Sequence, residues 1–183
     1  MRELSLNVMD IAQNSISAGA KLIGVDVVED AGKDELIIRI TDDGKGMSEE
    51  QVRQVIDPFF TTRTTRKVGL GVPLFKMEAE MTGGGLEISS ELGKGTVVTA
   101  RFVPSHVDMV PLGDIDSTIL LLITCNPDRD FLFHHAVNGR GFTLDTRELR
   151  AVLGEDVALD APDVVEWTKE YLAEQTKMIK EET

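Results

Sequence analysis

Five short motifs stand in order within the first hundred residues, and that order limits the fold more than any other property of the chain. Asp10-Ile11-Ala12-Gln13-Asn14 comes first, followed by Asp42-Asp43-Gly44-Lys45-Gly46 and Asp57-Pro58-Phe59-Phe60-Thr61-Thr62. Gly69-Leu70-Gly71 and Gly93-Lys94-Gly95-Thr96 complete the series. Leu4, Val8, Ile11 and Ile16 supply an apolar stripe at helical spacing through the first motif. Leu36-Ile37-Ile38-Arg39-Ile40, ahead of the second, reads as a strand. Pro73 fits the first turn of a helix after the Gly69-Leu70-Gly71 segment. Leu74, Met77 and Met81 would give that helix its core face, and Gly83-Gly84-Gly85 its end.

Asp10 and Asn14 are four residues apart, so on a helix they project from one face, one turn above the other. A carboxylate and a carboxamide oxygen stacked this way suit two jobs: a base near a nucleophile and an oxygen ligand for Mg²⁺. That ion takes few ligands from protein and the rest from water and phosphate. A solvated helix face would look the same in isolation. The apolar residues around the pair weigh against it, because polar groups so close to a buried face need a partner, and a metal–nucleotide is one. Asp42, at a strand end, sits either in a tight Asp-Gly turn or where it accepts a hydrogen bond from an adenine amino group. Gly44 and Gly46 would then let backbone approach the base without a Cβ in the way. Glycines ahead of a helix, as at Gly69 and Gly71, expose backbone N–H groups and the positive end of the dipole to phosphate. Thr61 to Val68, with Arg63, Arg66 and Lys67, reads as a lid whose cations meet the β- and γ-phosphates, or as a basic surface loop. No G-x-x-x-x-G-K-S/T occurs, and no G-x-G-x-x-G opens a helix after a strand, so P-loop and Rossmann sites are unsupported.

As a set, the motifs resemble the GHKL superfamily of ATPases, which includes histidine kinases, MutL-type repair proteins, type II topoisomerases and heat-shock chaperones. Asp10 to Asn14 match its N box, Asp42 to Gly46 the G1 box, Asp57 to Thr62 the F box and Gly69 to Gly71 the G2 box. The resemblance covers roughly residues 1–104. It implies a two-layer α/β sandwich, the Bergerat fold, with helices on one face of a mixed sheet and ATP held with Mg²⁺ under a lid. It implies Asp10 as the catalytic base and Asn14 as the residue that reaches Mg²⁺ through ATP. The nucleotide site it implies is Asn14, Asp42, Gly44, Gly46, Thr61, Thr62, Lys67, Gly69, Leu70, Gly71 and Thr96, the Thr96 hydroxyl lying near the adenine. Asn14-Ser15-Ile16-Ser17-Ala18-Gly19-Ala20 looks like the MutL version of the N box. Asp57 to Thr62, Gly69 to Gly71 and Ser90 to Thr96 resemble the ATP-binding catalytic domain of bacterial sensor histidine kinases, and the chain is short for the MutL branch.

Kinases of this branch place Glu or Asn where this chain has Asp10, and often Lys where it has Ser17. Both departures bear on phosphoryl transfer more than on ATP binding. No helical hairpin with a phosphoacceptor His precedes the first motif, and His106, His134 and His135 all lie downstream. The expectation is therefore a stand-alone regulatory kinase that transfers the γ-phosphate in trans to a partner protein. The competing expectation is an ATP-gated module that holds a partner complex without phosphorylating it. Either is compatible with a homodimer.

Charge narrows the partners. Residues 1–104 carry 12 Lys/Arg against 16 Asp/Glu, and residues 105–183 carry 7 against 16. Nucleic acid is not an expected partner, because a polyanion needs clustered cations. No stretch reaches eighteen apolar residues, and the longest, Ile119 to Ile123, reads as a buried strand rather than a membrane span. The N-terminus does not read as a signal peptide, so a cytoplasmic location is expected. A single cysteine, Cys125, excludes an internal disulfide framework and reads as a core residue at a strand end.

The expected organisation is an ATPase domain over 1–104, a linker over 105–116 and a small acidic α/β appendage over 117–183, packed on the ATPase domain or on a second subunit. In the appendage, residues 117–124 read as a strand, and 130–137 with 141–144 as a hairpin turning at Asn138-Gly139. Asp145 with Glu148 reads as a capping box for a helix through Leu153, and Asp160 with Pro162 as the start of a last helix. In a strand, His134 and His135 face opposite sides. They read as a half-exposed pair rather than as a phosphoacceptor or a metal site.

Overall fold

A computed structural model describes residues 2–57, 59 and 70–181. The elements run α1 (Leu4–Ser17), β1 (Leu22–Asp30), β2 (Glu35–Asp42), α2 (Glu49–Ile56), α3 (Gly71–Met81), β3 (Gly85–Glu91) and β4 (Gly95–Phe102). After them come α4 (Ile115–Cys125), β5 (Asp130–Val137), β6 (Arg140–Asp145), α5 (Thr146–Leu153) and α6 (Pro162–Lys180). The strands form one mixed sheet in the order β3-β4-β2-β1-β5-β6, antiparallel throughout except where β5 runs parallel to β1.

Alternation along each strand decides which face is buried. Val25 pairs with Ile40 and with Phe133, and Ile38 pairs with Ala100, so these side chains share one face. All are buried there under the helices, together with Val8, Phe75, Ile119 and Leu172 from α1, α3, α4 and α6. The other face presents exposed Arg39, Thr41, Arg101 and Thr143. This is the two-layer sandwich that the motifs imply. Residues 117–183 add two strands to the same sheet and share its core. Among the described residues, no helix is long and apolar enough to cross a membrane.

The segment expected as a linker has a structural task. The first N–H groups of a helix lack intrahelical partners, and those of Leu4 and Ser5 donate to the carbonyls of Pro111 and Leu112, both at 2.9 Å. Ser105 N–H donates to Asp34 Oδ1 at 3.0 Å and fixes the start of the segment.

Three local expectations are corrected. Residues 117–124 are not a strand but most of α4. Their Ile and Thr content favours a strand by propensity, yet the three Leu favour a helix and Asp114 accepts from Ser117 N–H at 3.0 Å as an N-cap. Ile115, Ile119, Leu122 and Ile123 then bury one helical face. Cys125 consequently ends a helix and is exposed, not a core residue of a strand. In α3 the core face is Val72, Phe75 and Ala79, whereas Met77 and Met81 are half exposed. Both sets have helical spacing; the choice follows from Phe75, which packs on Phe102 with ring centroids 5.5 Å apart.

The hairpin turns at Asn138 and Gly139, both with positive φ, as Asn-Gly favours. Asp145 caps α5 by accepting from Arg147 N–H, and Pro162 opens α6, although Ala161 rather than Asp160 occupies the cap position. His134 and His135 do face opposite sides. His135 is fully buried on the helical side with Nε2 2.8 Å from Glu29 Oε2, and His134 Nδ1 lies 2.6 Å from Asp26 Oδ1 on the other face.

The assignment of the α3 core face can be checked by denaturant unfolding. Phe75→Ala should cost about 3–5 kcal/mol, and Met77→Ala less than about 1 kcal/mol. Equal losses would mean that α3 is rotated.

Candidate nucleotide site

The first, second and last motifs converge at one end of the sheet. Asp42 ends β2 and pairs with Thr96 at the start of β4, which pairs in turn with Ser90 near the end of β3. Paired residues share a face, so all three lie on the helical side, under the C-terminal half of α1. Ser15 Oγ donates to Asp42 Oδ2 at 2.6 Å, and Gly44 N–H donates to Asp42 Oδ1 at 2.9 Å. An ionised carboxylate only accepts and has about four lone-pair sites. Asp42 is thus held in place from both oxygens with acceptor capacity left over.

The loop after β2 is pinned on every side. Asp43 Oδ1 accepts from the N–H groups of Lys21 and Leu22, at 2.8 and 3.0 Å, at the start of β1. Desolvation pushes the Asp43 carboxyl upward, but the N–H groups of Leu22 and Lys21 outweigh it and hold the pKa below the ordinary aspartate value. Lys45 N–H donates to Ala18 O at 3.0 Å, and Gly93 N–H to Lys45 O at 2.7 Å. Ser90 Oγ accepts from Met47 N–H at 2.8 Å, donates to Gly95 O at 3.0 Å and lies 2.8 Å from Thr96 Oγ1.

The loop glycines are required by this packing. Gly46 has a φ of +69°, and a Cβ on it would run into the carbonyl of Glu91. A Cβ on Gly44 would lie 3.0 Å from Ala18 and from Asp42. The protein's own atoms therefore occupy the space that the missing side chains free.

On the other side of α1, a Cβ added to Gly71 would lie 3.2 Å from the Asp10 Cβ, so the N-terminus of α3 abuts the Asp10 turn. Asp10 and Leu70 are exposed there, and Asn14 is half-buried one turn along, next to Ser15. Asp10, Asn14, Asp42, Gly44, Gly46, Leu70, Gly71 and Thr96 are thus gathered around the C-terminal half of α1. Thr61, Thr62, Lys67 and Gly69, with the lid cations Arg63 and Arg66, lie outside the described residues.

Three residues escaped the sequence reading: Ser15, Asp43 and Ser90. Ser15 had a signal, since it follows Ile11 by four residues and so lies on the buried face of α1. Asp43 and Ser90 act on segments distant in sequence, and nothing local announces their partners.

Asn7, one turn before Asp10, and Glu78 of α3 are buried polar residues between the two helices. Glu78 Oε1 lies 3.6 Å from Arg2 Nε, while Asn7 Oδ1 and Glu78 Oε2 find no partner among the described residues. Desolvation raises the Glu78 carboxyl above its ordinary value of 4.5, against the Arg2 charge and the Asn7 hydrogen bond. The folded pKa exceeds the unfolded one. This group's contribution to stability is therefore complete below about pH 4.5 and is lost as pH rises through the folded value. Glu78→Gln should raise the Tm at pH 7–8 by about 2–4 °C, the shift expected for ~1 kcal/mol. The gain should shrink towards pH 4, and a gain independent of pH would show that charge burial is not its origin.

The family model for histidine kinase-, DNA gyrase B- and HSP90-like ATPases matches residues 1–106. The sensor histidine kinase ZraS of Salmonella typhimurium is 36% identical over 87 residues, covering 48% of this chain and 17% of that protein. The sensor protein SrrB of Staphylococcus aureus is 36% identical over 101 residues, covering 52% of this chain and again 17% of the relative. The match thus spans about a sixth of the length of each of these relatives. Among solved structures, the N-terminal domain of a DNA repair protein superposes with a TM-score of 0.55 at 15% identity, covering 85% of this chain and 58% of that one. That is a likeness of fold, and its extent takes in elements beyond residue 106.

Proposed function

The chain belongs to the histidine kinase-, DNA gyrase B- and HSP90-like ATPases, and on that premise we propose that it binds ATP with Mg²⁺ and passes the γ-phosphoryl group in trans to a partner protein. The observation that carries the reading is the doubly anchored Asp42 carboxylate. It is a fixed acceptor at the end of a strand, suited to the amino group of adenine, with the Thr96 hydroxyl beside it. Gly71, at the first turn of α3, offers backbone N–H to phosphate, and the neighbouring Asp10 lies at that phosphate end. Thr61, Thr62, Lys67, Gly69 and the cations of the lid segment belong to the phosphate side of this reading.

Asn14 would present its carboxamide oxygen to Mg²⁺. Among the described residues no three His, Cys, Asp or Glu side chains gather to hold a metal by themselves, which suits an ion that takes most of its ligands from phosphate and water. When bound, the ion supplies charge neutralisation for the phosphates. Asp10 orients the partner's nucleophile or takes its proton as the nucleophile bonds to the γ-phosphorus and ADP leaves. Positioning and charge neutralisation supply most of such a transfer. One of the matched relatives, ZraS, is a sensor histidine kinase by name, which supports phosphotransfer as the reaction. A cytoplasmic setting and self-association are compatible with this reading.

Asp42→Asn should weaken ATP by roughly 10- to 100-fold, the equivalent of the ~1.5–3 kcal/mol of a hydrogen bond to a charged group. Calorimetry giving equal affinities for the two proteins would remove the adenine role.

Incubated with γ-labelled ATP and cell extract, the protein should label a partner and not itself. Asp10→Asn should cut that label by about 10²- to 10⁴-fold with little change in ATP affinity, since a base acts in the transition state. If no protein is labelled while ATP still alters protease protection of residues 61–68, the chain is an ATP-gated binding module instead.

A further inference from the structure

At the edge of the sheet farthest from β3, a groove of about 540 Å³ runs between β6, α5 and α6. Its apolar wall is Leu144, Leu149, Val152, Val164, Trp167 and Tyr171. The chain has one tryptophan and one tyrosine, and both are here, stacked with centroids 5.1 Å apart and planes 14° apart. Trp167 is 47% exposed and Val152 84% exposed. Among the described residues nothing covers them. Tryptophan and tyrosine dominate the energetic centres of protein interfaces, and gathering both on one open groove is not required by the core, which closes beneath them at Phe142.

The rim is acidic. Asp145, Glu148 and Asp163 line the groove, and exposed Glu166 and Glu170 follow on α6. Arg147 offsets Asp145, with Nη2 2.8 Å from Oδ2. A second copy of the chain would bring acidic rim against acidic rim, and residues 105–183 hold 16 Asp/Glu against 7 Lys/Arg. The backbone edge of β6 is also partly taken, because the Tyr171 hydroxyl donates to the Thr143 carbonyl at 3.3 Å. An added strand would have to displace it.

We propose that this groove docks an amphipathic helix of a partner protein, its apolar side chains seated against Trp167 and Val152 and its Lys or Arg side chains against the acidic rim. Charge complementarity selects the basic partner, and the occupied edge selects a helix over a strand. The groove lies at the β6 edge of the sheet, three strands away from β2 and the candidate nucleotide site.

The test uses the full chain and two synthetic helical peptides of about five turns. Both carry Leu and Phe at i, i+3, i+4 and i+7; one has Lys at the remaining positions and the other has Glu. Trp167 is the sole tryptophan, so its emission reports occupancy directly. The Lys peptide should shift that emission saturably and bind at least ~10-fold more tightly than the Glu peptide. Val152→Asp, at a site too exposed to disturb folding, should weaken the Lys peptide by about 10-fold. Glu148→Lys should weaken the Lys peptide and strengthen the Glu peptide, and both variants should bind ATP like the parent. Equal binding of the two peptides, or binding unmoved by either substitution, overturns the proposal. So does a concentration-dependent dimer that Val152→Asp dissolves, because the occupant would then be a second copy. ATP binding by the unmodified chain is read separately, so failure here leaves the nucleotide reading intact.

Discussion

β1 is paired along both edges, antiparallel with β2 and parallel with β5. A parallel neighbour cannot be reached by a hairpin and needs a long crossover. Residues 31–129 supply it here, and four of the five motifs fall within them. The ends of this pairing are fixed by hydrogen bonds outside the ladder. Asp130 N–H donates to Lys21 O and Asn138 N–H to Glu29 O, both at 2.8 Å. Ala31 N–H in turn donates to Asn138 Oδ1 at 2.8 Å. With β1 held this way, the register of β2 and β4 follows, and the end of β2 can face α1 only where it does.

Two adjacent aspartates divide the work at that end. Asp43 turns to the start of β1 and serves the fold. Its lowered pKa contributes stability above about pH 3.8, lost as pH falls through the folded value. Asp42 turns towards α1 and is fixed by Ser15 and Gly44. Substitution of Asp43 would therefore loosen the start of β1, and substitution of Asp42 the contact between the end of β2 and α1.

The fold was legible in the sequence where a motif coincided with a periodic pattern. The stripe of Leu4, Val8 and Ile11, the run from Leu36 to Ile40 and the Asn138-Gly139 turn each act locally, and each element stands where it was expected. Legibility failed at α4, where β-branched residues argued for a strand while the Asp114–Ser117 cap, a two-residue signal, argued for a helix. It failed again at α3, whose two apolar faces are equivalent until Phe102, from another element, chooses between them. At the site, the motifs pointed to Asp10, Asn14, Asp42, Gly71 and Thr96, but not to the serines that hold two of them. Ser15–Asp42 and Ser90–Met47 join residues 27 and 43 positions apart. Such pairings become visible only once the sheet has brought the segments together.

The parallel pairing of β5 with β1 also sets a timetable for synthesis. Once residues 1–104 have left the ribosome, β1 to β4 can pair, but the outer edge of β1 still lacks its neighbour, which ends at Val137. At ~5–20 residues per second that edge, with Val25 and Val27 beside it, stays open for a few seconds in every molecule made. An unpaired apolar strand edge is a template for aggregation. The nascent chain therefore passes through a stage in which β2, β3 and β4 have their neighbours while the central strand β1 is still an edge.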